Sequence, residues 1–305
     1  MKKVAFESEN IELVGNLYYP PDYTEGRQYP AVIVSGSWTT VKEQMAGLYA
    51  KRLSKKGYIT LAFDFRGFGE SGGEPRFYEN PAMKVEDIKN AVGYLASLPE
   101  VDMQNIGLLG ICAGAGYSLV AASEDKRVKA VVTVASWLHA AEAVKLFYGG
   151  EAGVKTRLKA AQNAKRRYEE SGETDYVPTV STTDDSAAMF GEYDYYLNPG
   201  RGAIKEWSGE RFATMSWEPW LTFDPMKSAP KLTAPTLMIH SDGAVLPDYT
   251  KKYFDAIATD DKKLHWIDTE IESPFHQFSF YDQEEEVALS VDLAAGWFSK
   301  KIPRR

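Results

Sequence analysis

"LLGICAGAGYSL", residues 108–119, decides how the rest of this 305-residue chain is read. An apolar run ends at Gly110, a helix-forming run begins after Cys112, and the turn between them carries the only cysteine. Gly110-Ile111-Cys112-Ala113-Gly114 has the G-x-S-x-G spacing of a nucleophile elbow, with sulfur in place of the serine oxygen. The spacing has a steric cause. A turn sharp enough to lift a side chain above a sheet edge crowds its own backbone, so positions two residues away must lack a Cβ. A helix N-terminus favours an anion, so this placement predicts a Cys112 thiol with a lowered pKa. An unpaired cysteine is otherwise most often a small buried hydrophobe. The pattern therefore gains weight only from its surroundings.

Outward from the elbow, short β-rich runs alternate with helical ones. "VAFES" and "IELVGNLYYP" predict a leading antiparallel hairpin. "AVIVSG", "YITLAFD", "IGLLG", "VKAVVTVAS" and "PTLMIHSD" read as strands buried on both faces. Between them, Met45, Leu48, Tyr49 and Leu53, and then Val85, Ile88, Val92 and Leu95, recur at helical spacing. This alternation predicts an α/β fold with a mostly parallel central sheet flanked by helices. About a hundred residues separate "VVTVAS" from "PTLMIH", far more than a usual crossover. Four of the seven tryptophans lie from Trp137 to Trp220, too many for a solvated loop. The division expected is a core of residues 1–136 and 229–305 with a largely helical cap insertion over 137–228. Open α/β sheets bind ligands at the carboxyl edge of their strands, where such a cap would sit. Trp137, His139, Tyr148, Tyr195, Tyr196, Trp217 and Trp220 are the candidates to line the pocket.

Two further stretches make the pattern specific. Asp64-Phe65-Arg66-Gly67-Phe68-Gly69-Glu70-Ser71-Gly72 resembles the D-x-R-G-x-G-x-S loop of the α/β-hydrolase superfamily. "VSGSW", residues 34–38, stands where that family has its His-Gly oxyanion loop, with Ser35 in place of the histidine. Together with the elbow, these motifs resemble the dienelactone-hydrolase-like subgroup with a cysteine nucleophile, and its capped peptidase-like or acyl-transferring relatives. The likeness runs from about residue 10 to residue 300. It implies an α/β-hydrolase fold and an ester- or thioester-cleaving activity. It also implies an oxyanion hole made by the N–H of Ala113 and that of Ser37 or Trp38.

A thiol nucleophile needs a base, and the chain has four histidines. His240 ends the strand "TLMIH", His265 lies inside "KLHWID", and His139 opens the cap. His276, in "ESPFHQFSFYD", alone combines loop placement with the order nucleophile, acid, histidine. In the subgroup, the histidine or its substitute aligns with His276 or with Gln277. The acid belongs on "SDGAVLPD". Asp242 is the first choice, although it stands five residues before Pro247 and the usual slot holds Gly243. Asp248 is the runner-up, expected instead to cap the helix "YTKKYFDAI".

The sequence predicts a hydrolase that cleaves an activated ester, lactone or thioester through an acyl-Cys112 intermediate, with a Cys112–His276–Asp242 triad. Two alternatives remain: an acyltransferase using the same acyl-enzyme, and a catalytically silent scaffold that binds ligand in the capped pocket. The expected partner is a small acyl substrate with an apolar portion, and homo-oligomerisation is open. A net charge of −8 argues against nucleic acid or an anionic membrane as partner. The sequence has no phosphate loop or dinucleotide fingerprint. Its four scattered histidines and one cysteine form no metal-ligand cluster. No cofactor or metal is expected. One cysteine cannot form an intrachain disulfide, and no run reaches membrane-spanning length, so the expected address is cytoplasmic.

Overall fold

The computed structural model describes residues 1–304. Its frame is one eight-stranded sheet: β1 (Lys2–Ser8), β2 (Ile11–Tyr18), β3 (Tyr29–Ser35), β4 (Ile59–Phe63), β5 (Val101–Ile111), β6 (Val128–Val134), β7 (Thr236–Ser241) and β8 (Lys262–Ile267). The spatial order is β1-β2-β4-β3-β5-β6-β7-β8. β1 and β2 form the antiparallel hairpin, β2 runs antiparallel to β4, and every pair from β4 to β8 is parallel. This is an α/β-hydrolase sheet. Burial follows position: β1 alternates exposed and buried residues at the edge, whereas every residue of β3 and β4 is buried.

Helices α1 (Met45–Ser54), α2 (Pro81–Ser97), α3 (Ala113–Glu124), α8 (Pro247–Ala256), α9 (Ser279–Asp282) and α10 (Glu284–Lys301) belong to the stretches that connect and follow these strands. α2 begins where the sequence supplies a cap. Asn80 Oδ1 accepts from the N–H groups of Ala82 and Met83, and Pro81 takes the first helical position, where no amide donor is needed.

Between β6 and β7 the chain leaves the sheet and builds α4 (Ala141–Phe147), the 22-residue α5 (Gly150–Ser171), α6 (Asp194–Leu197) and α7 (Trp217–Thr222), with two two-stranded ribbons. A 3-10 stretch, Pro225–Lys231, leads back toward β7. α5 is strongly polar and buries only Ala161 and Ala164 fully, so it is a surface helix. No helix among the described residues is long and apolar enough to cross a membrane.

Register brings the site together. Ser35 pairs with Gly110, Ile111 with Val134, and Val134 with Ile239. The loops after β3, β5, β6 and β7 therefore leave the sheet side by side, at its carboxyl edge.

Candidate active site

Cys112 sits on the elbow with φ 56° and ψ −121°, a left-handed conformation strained for any residue with a Cβ. Its N–H donates to the Val134 carbonyl at 3.0 Å, and its carbonyl accepts from the Trp137 N–H at 2.9 Å. The two glycines are forced. A Cβ on Gly110 would lie 2.4 Å from the Gly114 carbonyl, and one on Gly114 would lie 2.3 Å from the Gly36 carbonyl. Substituting either would push α3 off the sheet or off the loop after β3.

The hydroxyls of Ser37 and Tyr281 and the N–H groups of Ala113 and Trp38 lie near the Cys112 sulfur and favour its anion. The thiol is nevertheless buried, and burial pushes its pKa up, which these donors only partly counter. The lowering predicted from the helix N-terminus is thus reversed, because desolvation of the sulfur outweighs it. The surrounding hydroxyls form a chain. Tyr196 donates to Ser37 Oγ at 3.0 Å, and Ser37 Oγ lies 3.1 Å from Tyr281 Oη. Burial first, and the nearby cysteine second, raise both tyrosines well above their ordinary value, so they stay protonated.

The structure does not bring the predicted base and acid to the sulfur. His276 is buried, but its Nδ1 lies 2.7 Å from Ser241 Oγ and its Nε2 lies 3.2 Å from Glu286 Oε1. Gln277, the next residue, faces the sulfur's side instead. Its Nε2 donates to the Ala135 carbonyl at 2.7 Å and to Tyr281 Oη at 3.3 Å, and its Oε1 accepts from the Val245 N–H at 3.1 Å. Gln277 and Tyr281 are four residues apart along consecutive helical turns, so they share a face. Asp242 is exposed. Its carboxylate accepts from Lys251 at 3.2 Å and Trp266 Nε1 at 3.1 Å, which hold its pKa below the ordinary carboxylate value. Asp248 lies in the first turn of α8, after Pro247, and the helix is preceded by Leu246 at φ 53° rather than by a capping side chain. Neither aspartate meets Gln277, and the loop residue between Gly243 and Val245 is the buried methyl of Ala244.

His240 is packed within the core. It accepts from the Ser136 N–H, and burial pushes its pKa down to about 3. His139 is likewise buried, its pKa pushed down to about 4. Trp137 Nε1 donates to its Nδ1 at 2.8 Å, so its Nε2 carries the hydrogen that meets the Trp220 carbonyl at 3.0 Å.

A cavity of about 290 Å³ opens from the sulfur. Trp137, Tyr148, Tyr196 and Trp220 line it, together with Ser37 and Trp38. His139, Tyr195 and Trp217 do not, which corrects their expected place. His139 braces two lining tryptophans from behind, Tyr195 packs edge-on against Tyr196 and Tyr281, and Trp217 supports Tyr148 and Trp38. Being aromatic placed them in this layer, but only the packing decides which ring faces inward. Gln277 lines it too, and so do residues the sequence did not single out, notably Phe147, Arg157, Tyr193, Phe278 and Tyr281.

A second unmarked group holds the loop after β3. Glu79, fully buried, accepts from the Thr39 N–H at 3.0 Å, from Tyr117 Oη at 2.6 Å and from Lys84 Nζ at 2.7 Å. Thr39 has φ 62°, one residue after Trp38. Lys84 Nζ lies over the Phe68 ring at 4.3 Å and the Phe65 ring at 4.8 Å. This carboxylate thus ties the strained loop to α2 and α3. No motif announces it. Among the described residues, no group of three or more His, Cys, Asp or Glu side chains could hold a metal ion.

Comparison with known proteins supports the fold. The protein YcjY of Escherichia coli (strain K12) is 34% identical, covering 98% of this chain and 99% of its own. The crystal structure of PA2218 from Pseudomonas aeruginosa superposes with a TM-score of 0.82 at 28% identity, covering 98% of this chain and 93% of that one. The polyketide transferase claH of Penicillium crustosum is 34% identical over 44% of this chain and 43% of its own. Residues 9–267 match the X-Pro dipeptidyl-peptidase (S15) family. The chain belongs to that family of hydrolases, within the α/β-hydrolase superfamily.

Proposed function

We propose that this protein takes an acyl group from an activated ester, lactone or thioester onto Cys112 and passes it to an acceptor, with residues 137–228 as a cap over the reaction chamber. The observation that carries this reading is the sulfur on a strained elbow, facing the N–H groups of Ala113 and Trp38 at one end of an aromatic cavity. Cys112 Sγ adds to the carbonyl carbon, and the two N–H groups hold the oxygen as it becomes negative. The thiol proton passes through the Tyr281 hydroxyl to the departing alkoxide or thiolate as the carbon–leaving-group bond breaks. An acceptor then adds to the thioester, the bond to sulfur breaks, and the acceptor's proton returns along the same hydroxyl.

Substrate class follows from what surrounds the sulfur. No imidazolium meets it to protonate a departing amine, so esters and thioesters suit the site better than the peptides of the family's name. With Gln277 in front of the sulfur, the site also lacks a base to activate water. Acyl transfer to an amine or thiol is therefore favoured over hydrolysis, a reading in keeping with the name of the polyketide transferase relative. A reducing compartment such as the cytoplasm would keep the lone cysteine a thiol.

Intact-mass analysis after incubation with p-nitrophenyl esters and aryl thioesters tests this. One acyl group on Cys112, released faster by added cysteamine than by water, is expected. Absence of the adduct, or an equal adduct in Cys112→Ala, would leave a silent binding scaffold.

A further inference from the structure

Among the described residues, Arg157, on α5, is the only cationic side chain that lines the cavity. Its guanidinium lies over the faces of Tyr148, at 5.4 Å, and Trp217, at 5.1 Å. NH1 donates to the carbonyls of Tyr148 (3.1 Å) and Gly153 (3.4 Å). Nε and NH2 donate to no protein acceptor, and no carboxylate pairs with the group, among the described residues. The two most sheltered arginines in ion pairs, Arg66 and Arg201, differ. Arg66 is clamped by Asp87 and Arg201 by Asp282, each through two nitrogens. Two aromatic faces and two backbone carbonyls thus fix the plane of Arg157 while its other edge stays unsatisfied, an arrangement suited to a carboxylate held by two parallel bonds.

Position supplies the rest of the ligand. Tyr148 carries Arg157 on its face, its hydroxyl accepts from Trp220 Nε1 at 2.8 Å, and both rings line the same cavity as Cys112. The route from the sulfur to the guanidinium is therefore walled by aromatic rings. Asp185 also lines the cavity, but it is exposed and makes no ion pair with Arg157.

We propose that Arg157 binds a carboxylate carried on an apolar spacer. On the acyl-transfer reading above, this is the far end of an acyl group whose carbonyl reacts at Cys112.

Equilibrium binding tests this without turnover. Cys112→Ser protein is titrated with 4-phenylbutyrate, with 4-phenylbutanamide and with inorganic phosphate, followed by tryptophan fluorescence and calorimetry. The carboxylate is expected to bind about tenfold or more tighter than the amide. Arg157→Gln should abolish that preference, and Arg157→Lys, which keeps the charge over the rings but loses the fork, should retain about threefold of it. Asp185→Asn should strengthen carboxylate binding. Equal binding of acid and amide, a preference unchanged in Arg157→Gln, or phosphate binding as tightly as phenylbutyrate would each overturn the assignment. Because no acyl group moves in this assay, its failure leaves the Cys112 thioester standing, and an absent thioester leaves this result intact.

Discussion

Replacing Gln277 by histidine puts the missing imidazole where the structure holds an amide. The Gln277 amide nitrogen is one hydroxyl away from the sulfur, because Nε2 donates to Tyr281 Oη and Tyr281 in turn meets Cys112. An imidazole there can draw the thiol proton through Tyr281. A positioned general base contributes roughly 10²–10⁴-fold to such a step. We expect the lower end, about a hundredfold faster acylation of Cys112, because no aspartate meets this position to orient the ring. The substitution also has a stability cost that the structure sets. Gln277 satisfies one buried N–H (Val245) and one buried carbonyl (Ala135) with opposite ends of its amide. An imidazole whose remaining nitrogen serves Tyr281 leaves one of these unpaired, at about 1–3 kcal/mol. Gln277→Ala leaves both unpaired and supplies no base, so it should be less stable still with no gain in rate. The assay is the p-nitrophenolate burst at pH 7.5, with urea denaturation run in parallel. A folded Gln277→His protein whose burst is no faster than wild type would refute the claim that acylation is limited by the lack of an imidazole at this position.

Four other outcomes are expected. His276→Ala should leave the Cys112 acylation rate within about twofold while lowering the urea midpoint, since its imidazole meets Ser241 and Glu286 rather than the sulfur; loss of acylation at unchanged stability would restore His276 as the base. Iodoacetamide labelling of Cys112 should inflect above the ~8.5 of a free thiol, because burial raises its pKa; an inflection below that value would contradict the buried, neutral thiol. Glu79→Gln should destabilise by about 3–5 kcal/mol by leaving Lys84 charged and unpaired, and adding Lys84→Met should recover much of that loss; additive losses would mean the two side chains are not coupled. Finally, His139 and His240 have folded pKa values of about 4 and about 3, below the unfolded value, so the unfolded state takes up protons first as pH falls. Stability should hold above pH 6.5 and fall below it, by about 2 kcal/mol for each histidine at pH 5. A flat urea midpoint between pH 7 and pH 5 would show that neither is held neutral in the folded protein, and half the expected fall would show that one is protonated there.

The sheet was legible because its determinants are local. Runs such as "AVIVSG" and the elbow glycines encode burial and backbone geometry within a few residues. The site was legible only where the same holds. Cys112, Ala113 and Trp38 are fixed by turns that their own neighbours dictate. The base was not, since His276 and Gln277 are adjacent and a shift of one residue decides which faces the sulfur. That choice is made by Ser241 and Glu286, which hold the His276 ring, and by Val245 and Ala135, which hold Gln277. None of these partners is near in sequence. Asp242 misled for a related reason: it stands on the expected loop but turns outward to Lys251 and Trp266. Glu79 and Arg157 carry no motif at all, and their roles depend on distant partners, Thr39 and Tyr117 for the first and Trp217 for the second, as well as on local ones.

The ionisable groups around the sulfur share one tendency. Burial moves the Cys112 thiol up, Tyr196 and Tyr281 up, and His139 down, each toward its neutral form. Gln277, where an imidazole would titrate, is neutral at every pH. A thiolate–imidazolium pair would have to be desolvated in this surrounding, at a cost that the ring-lined walls cannot return. On the proposed reading, full charge would develop only during reaction, on the carbonyl oxygen, with the Ala113 and Trp38 N–H groups beside the sulfur to receive it. On that reading the site would react slowly with unactivated esters and selectively with substrates whose own leaving group bears charge easily. Arg157 is the exception that fits the same logic. Held against Tyr148 and Trp217 at the cavity wall and still half-exposed, it offers fixed charge to the part of a ligand that does not react. A carboxylate bound there would orient the acyl group without placing a charge beside the thiol.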